Sequence, residues 1–153
     1  MVVEKGPDWW VKIADFGISK RRNDVTTLQI LQRGTMGFAA PEAVGISADC
    51  EDGTYSTAVD IWSLGAVAFL MLTGKSAFGD FAELVGYCSG NRDFPVETLK
   101  SFSVSSEGQS FVASLMMLAP EMRPTTDKAL QHPWMDIVIN LTENAGAKHL
   151  EIM

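Results

Sequence analysis

The stretch from Val59 to Leu72 constrains the fold of this chain more than any other part of the sequence. Its side chains are apolar on nearly all sides of a helix, which is typical of a helix buried within a protein core. Thr57 is suited to cap its start, and Gly74 is suited to stop it. The stretch is also shorter than the roughly 18 apolar residues that a membrane span needs. We therefore predict a mainly α fold built around one buried helix.

Three shorter helices are predicted after the central one. The first covers Asp80 to Cys88. The second begins with a capping box, Ser106-x-x-Gln109, and ends before Pro120. The third opens at Thr125 and is interrupted by Pro133. The C-terminal two thirds of the chain is thus predicted to be helical.

The N-terminal region has a different pattern. Val2-Val3, then Lys5-Gly6-Pro7-Asp8, then Trp10 to Ile13 predict a strand, a turn and a second strand, which together form a small β-hairpin. Residues 18–38 are polar with little periodicity, so we expect a long surface loop, and such loops are usually functional. We interpret residues 1–138 as one domain and residues 139–153 as a frayed C-terminal tail.

Charge and cysteine content exclude several classes of protein. The net charge of −7 argues against a general nucleic-acid binder and against a membrane-surface binder, since both need a basic face. Cys50 and Cys88 match neither a disulfide framework nor a zinc site, and reduced thiols fit a cytoplasmic or nuclear protein. Glu4 and Lys5 interrupt the start of the chain, so we see no signal-peptide apolar region and expect a protein that is not secreted.

Two short motifs, Asp15-Phe16-Gly17 and Ala40-Pro41-Glu42, place Asp15 and Glu42 27 positions apart. Each motif alone is weak, because Asp-Phe-Gly also occurs as an ordinary turn. In this order, and followed by Asp60-Ile61-Trp62-Ser63-Leu64-Gly65 and Arg123-Pro124, they resemble the C-terminal lobe of a protein serine/threonine kinase domain, from the activation segment onward. His132-Pro133-Trp134 is similar to the last block of the calcium/calmodulin-dependent type.

The resemblance implies roles for residues of the activation segment. In a complete family member, Asp15 would hold a magnesium ion that bridges the phosphates of ATP, and Gly17 would allow the sharp turn that follows. Thr35 indicates the serine/threonine class. Thr26 and Thr27 lie where activating phosphorylation often occurs in the family, with an unmodified polar loop as the alternative.

The resemblance also implies structural roles for three residues. Glu42 would form a partly buried ion pair with Arg123, and the alternative is two unrelated surface charges. Asp60 would accept hydrogen bonds from the backbone of the catalytic loop, close to the N-terminus of the central helix. A simple capping role is the alternative for Asp60.

No glycine-rich loop, strand lysine or His-Arg-Asp catalytic loop precedes Asp15. The resemblance therefore implies that the N-terminal lobe and the catalytic loop are absent from this chain, that no catalytic residue is present, and that neither ATP nor magnesium binds to it alone. A lobe lacking these parts would expose apolar surface. Two interpretations stay open: a fragment of a kinase that phosphorylates protein serine or threonine, inactive by itself, or a non-catalytic interaction module or gene remnant. The sequence identifies no protein substrate or regulator.

Overall fold

The computed structural model describes residues 2–4, 10–11, 37–46 and 56–136. In chain order the elements are β1 (Val2–Glu4), β2 (Trp10–Val11), a 3-10 turn (Pro41–Val44), α1 (Ala58–Thr73), α2 (Phe81–Cys88), α3 (Val96–Ser101), α4 (Ser106–Leu115), a second 3-10 turn (Pro120–Met122) and α5 (Thr126–Leu130). Residues 133–136 form one further helical turn. The described part of the chain is mainly α, as the sequence predicts.

The two strands form the predicted N-terminal hairpin. β1 and β2 pair antiparallel, with Val2 opposite Val11 and Glu4 opposite Trp10. The register shifts between the two pairs, because two steps along β1 match one step along β2. An irregularity of this kind bends a strand pair locally.

Helix α1 is the element around which the other helices assemble. It contacts α3, α4 and the Pro120–Met122 turn. Trp62 and Phe69 of α1 and Leu115 and Met116 at the end of α4 are almost completely removed from solvent. Their burial supplies the main stabilising free energy of the helical core.

Both ends of α1 lie close to the predicted positions. Gly74 follows the last residue with a φ of 67°, and its N–H donates to the Leu70 carbonyl over 2.7 Å. This left-handed conformation favours glycine, so the predicted stop signal is present. Thr57 occupies the N-cap position, but its side chain accepts no capping hydrogen bond. The Ser56 hydroxyl instead accepts from the Ala58 N–H over 3.2 Å.

The close approach of α1 and α4 depends on Gly65. A Cβ atom at this position would lie 2.6 Å from Met116 Cγ and 2.9 Å from Leu115 Cβ. Neither separation is compatible with van der Waals radii, so the two helices can pack at this distance only because position 65 carries no side chain.

The prediction that α1 is buried on nearly all sides is wrong. Leu64, Val67 and Met71 are 49%, 41% and 80% exposed, and their spacing places them along one face of the helix. We call this set the α1 apolar stripe. The described helices cover the opposite face of α1, so the sequence expectation that such a lobe exposes apolar surface agrees with the structure.

Two details of the smaller helices differ from the prediction. The capping box at Ser106 is wrong by one residue: Ser105 is the N-cap, and its hydroxyl accepts from the Gly108 N–H over 3.2 Å. Gln109 does not complete a box, because its side-chain amide donates to the Val104 carbonyl over 2.7 Å. Helix α3 has six residues and was not predicted, since it is too short to show a helical period.

Helices α2 and α5 follow the prediction more closely. Asp80 caps α2, and Thr125 caps α5 through its hydroxyl. Helix α5 ends at Leu130, ahead of Pro133, and a separate turn then follows. Among the described residues, no helix is both long enough and apolar enough to cross a membrane.

Candidate functional site

The Ala40-Pro41-Glu42 segment forms a buried turn at the edge of the helical core. Pro41 occupies the first position of the 3-10 turn, where its missing N–H leaves no donor unpaired. The Ala43 and Val44 N–H groups both donate to the Ala40 carbonyl, at 2.9 and 3.2 Å. Glu42 is only 4% exposed, so its carboxylate needs a partner inside the protein.

That partner is Arg123, which lies in the extended segment after the Pro120–Met122 turn. Arg123 Nη1 contacts Glu42 Oε1 at 2.5 Å, and Nη2 contacts Oε2 at 2.9 Å. Both oxygens and both terminal nitrogens take part, which is the bidentate geometry that gives arginine its strength as a carboxylate partner. The ion pair expected between Glu42 and Arg123 is therefore present in the structure.

The remaining donors of Arg123 are also used. Nε donates to the Met117 carbonyl over 2.8 Å, Nη1 to the Ala58 carbonyl over 2.9 Å and Nη2 to the Leu118 carbonyl over 3.1 Å. The guanidinium carbon also lies 5.0 Å from the ring centre of Trp62. All five N–H groups are thus paired, so the buried charge leaves no unsatisfied donor.

These contacts connect three parts of the chain that are distant in sequence. Glu42 belongs to the Pro41–Val44 turn, Ala58 begins α1, and Met117 and Leu118 follow α4. Arg123 holds all three together at one buried point. The arrangement fixes the Ala-Pro-Glu segment against the helical core.

Ser63 provides a second link between this segment and α1. Its hydroxyl lies 2.9 Å from the Phe38 carbonyl and 3.1 Å from the Val59 carbonyl in the preceding turn of α1. The link to Phe38 was not predicted. Its signal in the sequence is a hydroxyl residue within a mainly apolar stretch of helix, and Ser or Thr at such a position commonly bonds a backbone carbonyl.

An apolar cavity of about 300 Å³ lies between residues 37–39, α1 and the start of α2. Its walls are mostly aromatic or aliphatic, and Asp80 supplies an acidic group. The lining residues are Gly37, Ala39, Trp62, Phe78, Gly79, Asp80, Phe81 and Leu84. Phe78 stacks on both Trp62 and Tyr87, with ring centres 6.2 and 5.2 Å apart. The cavity is therefore built on a fixed aromatic cluster.

Two ionisable side chains beside this cluster have shifted pKa values. Burial raises the pKa of the Tyr87 hydroxyl; the neighbouring Cys88 raises it further and Arg123 lowers it. Burial likewise raises the pKa of the Cys88 thiol, with the Glu42 charge acting in the same direction. Tyr87 donates its hydroxyl hydrogen to the Met116 carbonyl over 3.1 Å. Both side chains are held in their neutral forms, which suits structural roles.

Asp60 lies in the first turn of α1, where the helix dipole favours a negative charge. Its side chain is exposed. Within residues 37–46 and 56–136, no hydrogen bond to the Asp60 carboxylate is present, and the N-cap of α1 is Thr57. The simple capping alternative for Asp60 is therefore wrong, and its role toward a catalytic loop stays a prediction.

Other predicted site residues lie outside the described residues: Asp15, Gly17, Thr26, Thr27 and Thr35. Their magnesium-binding, turn-forming and regulatory roles stay predictions. Within the described ranges, no cluster of three or more His, Cys, Asp or Glu side chains is placed to hold a metal ion.

Comparison with known protein families gives one match over most of the chain. Residues 1–135 match the family model described as "Protein kinase domain". The match includes the Asp15-Phe16-Gly17 and Ala40-Pro41-Glu42 motifs and Arg123.

Several curated proteins are similar to this chain. The serine/threonine-protein kinase cds1 of Schizosaccharomyces pombe is 36% identical over 129 residues, which are 83% of this chain and 28% of that protein. The serine/threonine-protein kinase RAD53 of Saccharomyces cerevisiae is 32% identical over 143 residues, or 88% of this chain and 17% of that protein. The calcium/calmodulin-dependent protein kinase cmkA of Emericella nidulans is 36% identical over 126 residues, or 80% of this chain and 28% of that protein. The chain thus spans less than a third of the length of these relatives.

Solved structures give the same result for the fold. The crystal structure of Rad53 residues 1–466 in complex with AMP-PNP superposes with a TM-score of 0.54 and 34% identity, over 67% of this chain and 26% of that one. The twitchin kinase region from C. elegans superposes with a TM-score of 0.50 and 31% identity, over 66% of this chain and 17% of that one. The helical arrangement described above therefore occurs within larger solved chains.

Proposed function

Because this chain belongs to the protein kinase family, we propose that it is the C-terminal-lobe portion of an ATP-dependent protein serine/threonine kinase and that the 153-residue polypeptide alone transfers no phosphate. The observation that carries the proposal is the buried Glu42–Arg123 pair. The pair fixes the Ala-Pro-Glu end of the activation segment against the helical lobe. This segment end and this lobe are the parts of a kinase domain that the chain contains.

The proposed inactivity follows from what phosphoryl transfer requires. Positioning of the two substrates and electrostatic stabilisation supply nearly all of the catalysis. The 153 residues include no His-Arg-Asp sequence to position a substrate hydroxyl, and no glycine-rich loop before Asp15 to cover the phosphates. Asp15 would be a single magnesium-binding carboxylate with no substrate positioned beside it.

The same proposal assigns cofactors, partners and location. In the complete kinase, ATP and magnesium would be bound with Asp15 as a metal ligand, and a protein serine or threonine would accept the phosphate. Thr26 or Thr27 would be the site of activating phosphorylation. The net charge of −7 supports a protein that binds neither nucleic acid nor membranes, and the cysteine content supports a cytoplasmic or nuclear location.

A phosphate-transfer assay with the purified chain tests the inactivity. We expect incorporation of labelled phosphate into a generic serine/threonine substrate to equal that of the Asp15→Ala variant. Turnover by the unaltered chain above that variant would contradict the proposal. Determining the transcript upstream of the Met1 codon tests the kinase assignment, since an in-frame His-Arg-Asp sequence would support it.

The α1 apolar stripe favours a second candidate, a non-catalytic interaction module of kinase origin. Leu64, Val67 and Met71 form an exposed apolar face on the central helix, and such faces often mark protein interaction surfaces. A ribosome-protected start at Met1, together with a stably folded chain in cell extracts, would favour this candidate. An upstream in-frame catalytic loop would exclude it.

A further inference from the structure

His132 caps the last helical turn of the described chain with its side chain. Its Nδ1 atom accepts a hydrogen bond from the Trp134 backbone N–H over 3.2 Å. Pro133 stands between them and has no N–H, so the Trp134 amide is the first donor of the turn that needs a partner. The His132 carbonyl also accepts from the Met135 N–H over 2.8 Å. His132 therefore occupies the position that Asn or Asp usually fills at a helix start.

The capped turn is attached to α4 by aromatic packing. The Phe111 ring centre lies 5.1 Å from that of His132 and 5.1 Å from that of Trp134. A Cβ atom at Gly108 would lie 3.1 Å from Trp134 Nε1, so the indole sits directly against the α4 backbone. The His132 side chain takes part in both the cap and the aromatic packing, so a change at His132 acts on both.

We propose that His132 is a pH-sensitive cap: neutral imidazole holds the turn at residues 133–136 on α4, and protonated imidazole releases it. In the neutral ring, Nδ1 has a lone pair that accepts the Trp134 N–H, while Nε2 carries the proton. A proton taken from solvent by Nδ1 removes that lone pair. The N–H···N hydrogen bond is then lost, because both ring nitrogens have become donors.

One neighbouring charge interacts with the His132 side chain. The charged groups on neighbouring elements are Glu107 on α4, Asp127 and Lys128 on α5, and Asp136 on the turn. His132 acts on the pKa of one of these groups, the Glu107 carboxyl. Its own backbone hydrogen bond lowers the pKa of the Glu107 carboxyl most, followed by Ser105 and Ser106, with His132 adding to the effect. Glu107 is therefore still negative when histidine side chains become protonated, and its charge favours the imidazolium over the neutral ring.

Amide hydrogen exchange in the full chain, measured by NMR, tests the proposal. The protection factors of the Trp134 and Met135 amides are compared with that of Val112 in α4, between about pH 7.5 and about pH 5. We expect the Trp134 protection factor to fall by about 2- to 30-fold on acidification, the range expected for losing one helix cap. The Val112 protection factor should not fall with it.

Three variants separate this mechanism from general acid loosening. His132→Asn keeps a side-chain acceptor two residues before the amide but does not titrate, so its Trp134 protection should not depend on pH. His132→Ala should show low protection at both pH values. Glu107→Gln should move the midpoint of the loss to lower pH, because the imidazolium loses its attractive partner.

Two results would overturn the proposal. One is unchanged Trp134 protection in the unaltered chain across this pH range. The other is the same pH dependence in His132→Asn as in the unaltered chain. If His132→Ala does not fold, the comparison of the unaltered chain with His132→Asn decides the question by itself.

Discussion

Glu42 and Arg123, 81 positions apart in the sequence, form a bidentate ion pair in which both side chains are almost completely buried. A buried pair of this kind adds little stability compared with well-packed apolar residues, since both charges lose their hydration. Removing one partner is different, because the other charge is left without compensation. The pair therefore specifies how the Ala-Pro-Glu segment sits on the core.

We expect Glu42→Gln to lower the free energy of unfolding by about 3–5 kcal/mol. The variant leaves the Arg123 guanidinium buried without a negative partner, although its three bonds to backbone carbonyls remain. Urea unfolding followed by circular dichroism measures the change.

The exposed Lys100–Glu97 pair on α3 is the matched control. Its side chains are 52% and 80% exposed, so solvent screens the interaction. Glu97→Gln should change the free energy of unfolding by no more than about 0.5 kcal/mol. A loss for Glu42→Gln as small as that for Glu97→Gln would show that the Glu42 carboxylate is not buried in solution.

A second prediction concerns the contact between α1 and α4. Gly65→Ala should destabilise the protein by about 1–3 kcal/mol, because the new methyl group would overlap Leu115 and Met116. Gly86→Ala in α2 is the control: its nearest neighbour would be Arg92 Cβ at an ordinary 3.7 Å. There alanine should raise stability by up to about 1 kcal/mol through its higher helix propensity. Thermal melts of both variants should move in opposite directions, and equal shifts would contradict the packing.

The sequence was sufficient to predict the parts of the structure that depend on motifs or on strong local signals. The Glu42–Arg123 pair followed from two recognisable contexts, Ala-Pro-Glu and Arg-Pro. The end of α1 followed from Gly74, because a left-handed residue after a helix is a local requirement. Such features are encoded by a few residues each and do not depend on the rest of the fold.

Features that depend on neighbouring elements could not be predicted in this way. A helix that is apolar on nearly all sides does not indicate which face its partners cover, so the exposure of Leu64, Val67 and Met71 was missed. The Ser63–Phe38 bond joins two segments whose separation the sequence does not give. The cap of α4 fell on Ser105 instead of Ser106 because either serine could fill the position, and the backbone path before the helix selects between them.

A third prediction uses the raised pKa of Tyr87. A group whose pKa is higher in the folded state than in the unfolded state stabilises the fold at pH values below its unfolded pKa, and this contribution is lost as pH rises. Stability should therefore fall above about pH 10, where an unfolded tyrosine ionises. The pKa of the Cys88 thiol is raised too, so it should also lower the stability as the pH rises above about 8.5. Urea midpoints measured from neutral to alkaline pH would detect the loss.

Tyr87→Phe isolates the tyrosine contribution to this alkaline loss. The variant loses the hydrogen bond to the Met116 carbonyl and so about 1 kcal/mol at neutral pH. Its further loss at alkaline pH should be smaller than that of the unaltered chain. Parallel pH profiles for the two proteins would contradict the assignment to Tyr87.

The last prediction concerns the α1 apolar stripe. Leu64→Gln/Met71→Gln should change the free energy of unfolding of this chain by no more than about 0.5 kcal/mol per site, since Leu64 is half exposed and Met71 is mostly exposed. The same double change should reduce self-association, because exposed apolar faces drive it. Sedimentation velocity at several concentrations, together with urea unfolding, measures both effects.

Ile61→Gln on the buried face of the same helix provides the comparison. Ile61 is 8% exposed, so the substitution places an amide in the core and should cost more than about 2 kcal/mol. A stripe variant that loses as much stability as Ile61→Gln would mean that Leu64 and Met71 are covered in solution. Unchanged stability with weaker self-association would show that the stripe is open in this chain, so that the remainder of a kinase domain or a separate partner has room to bind there.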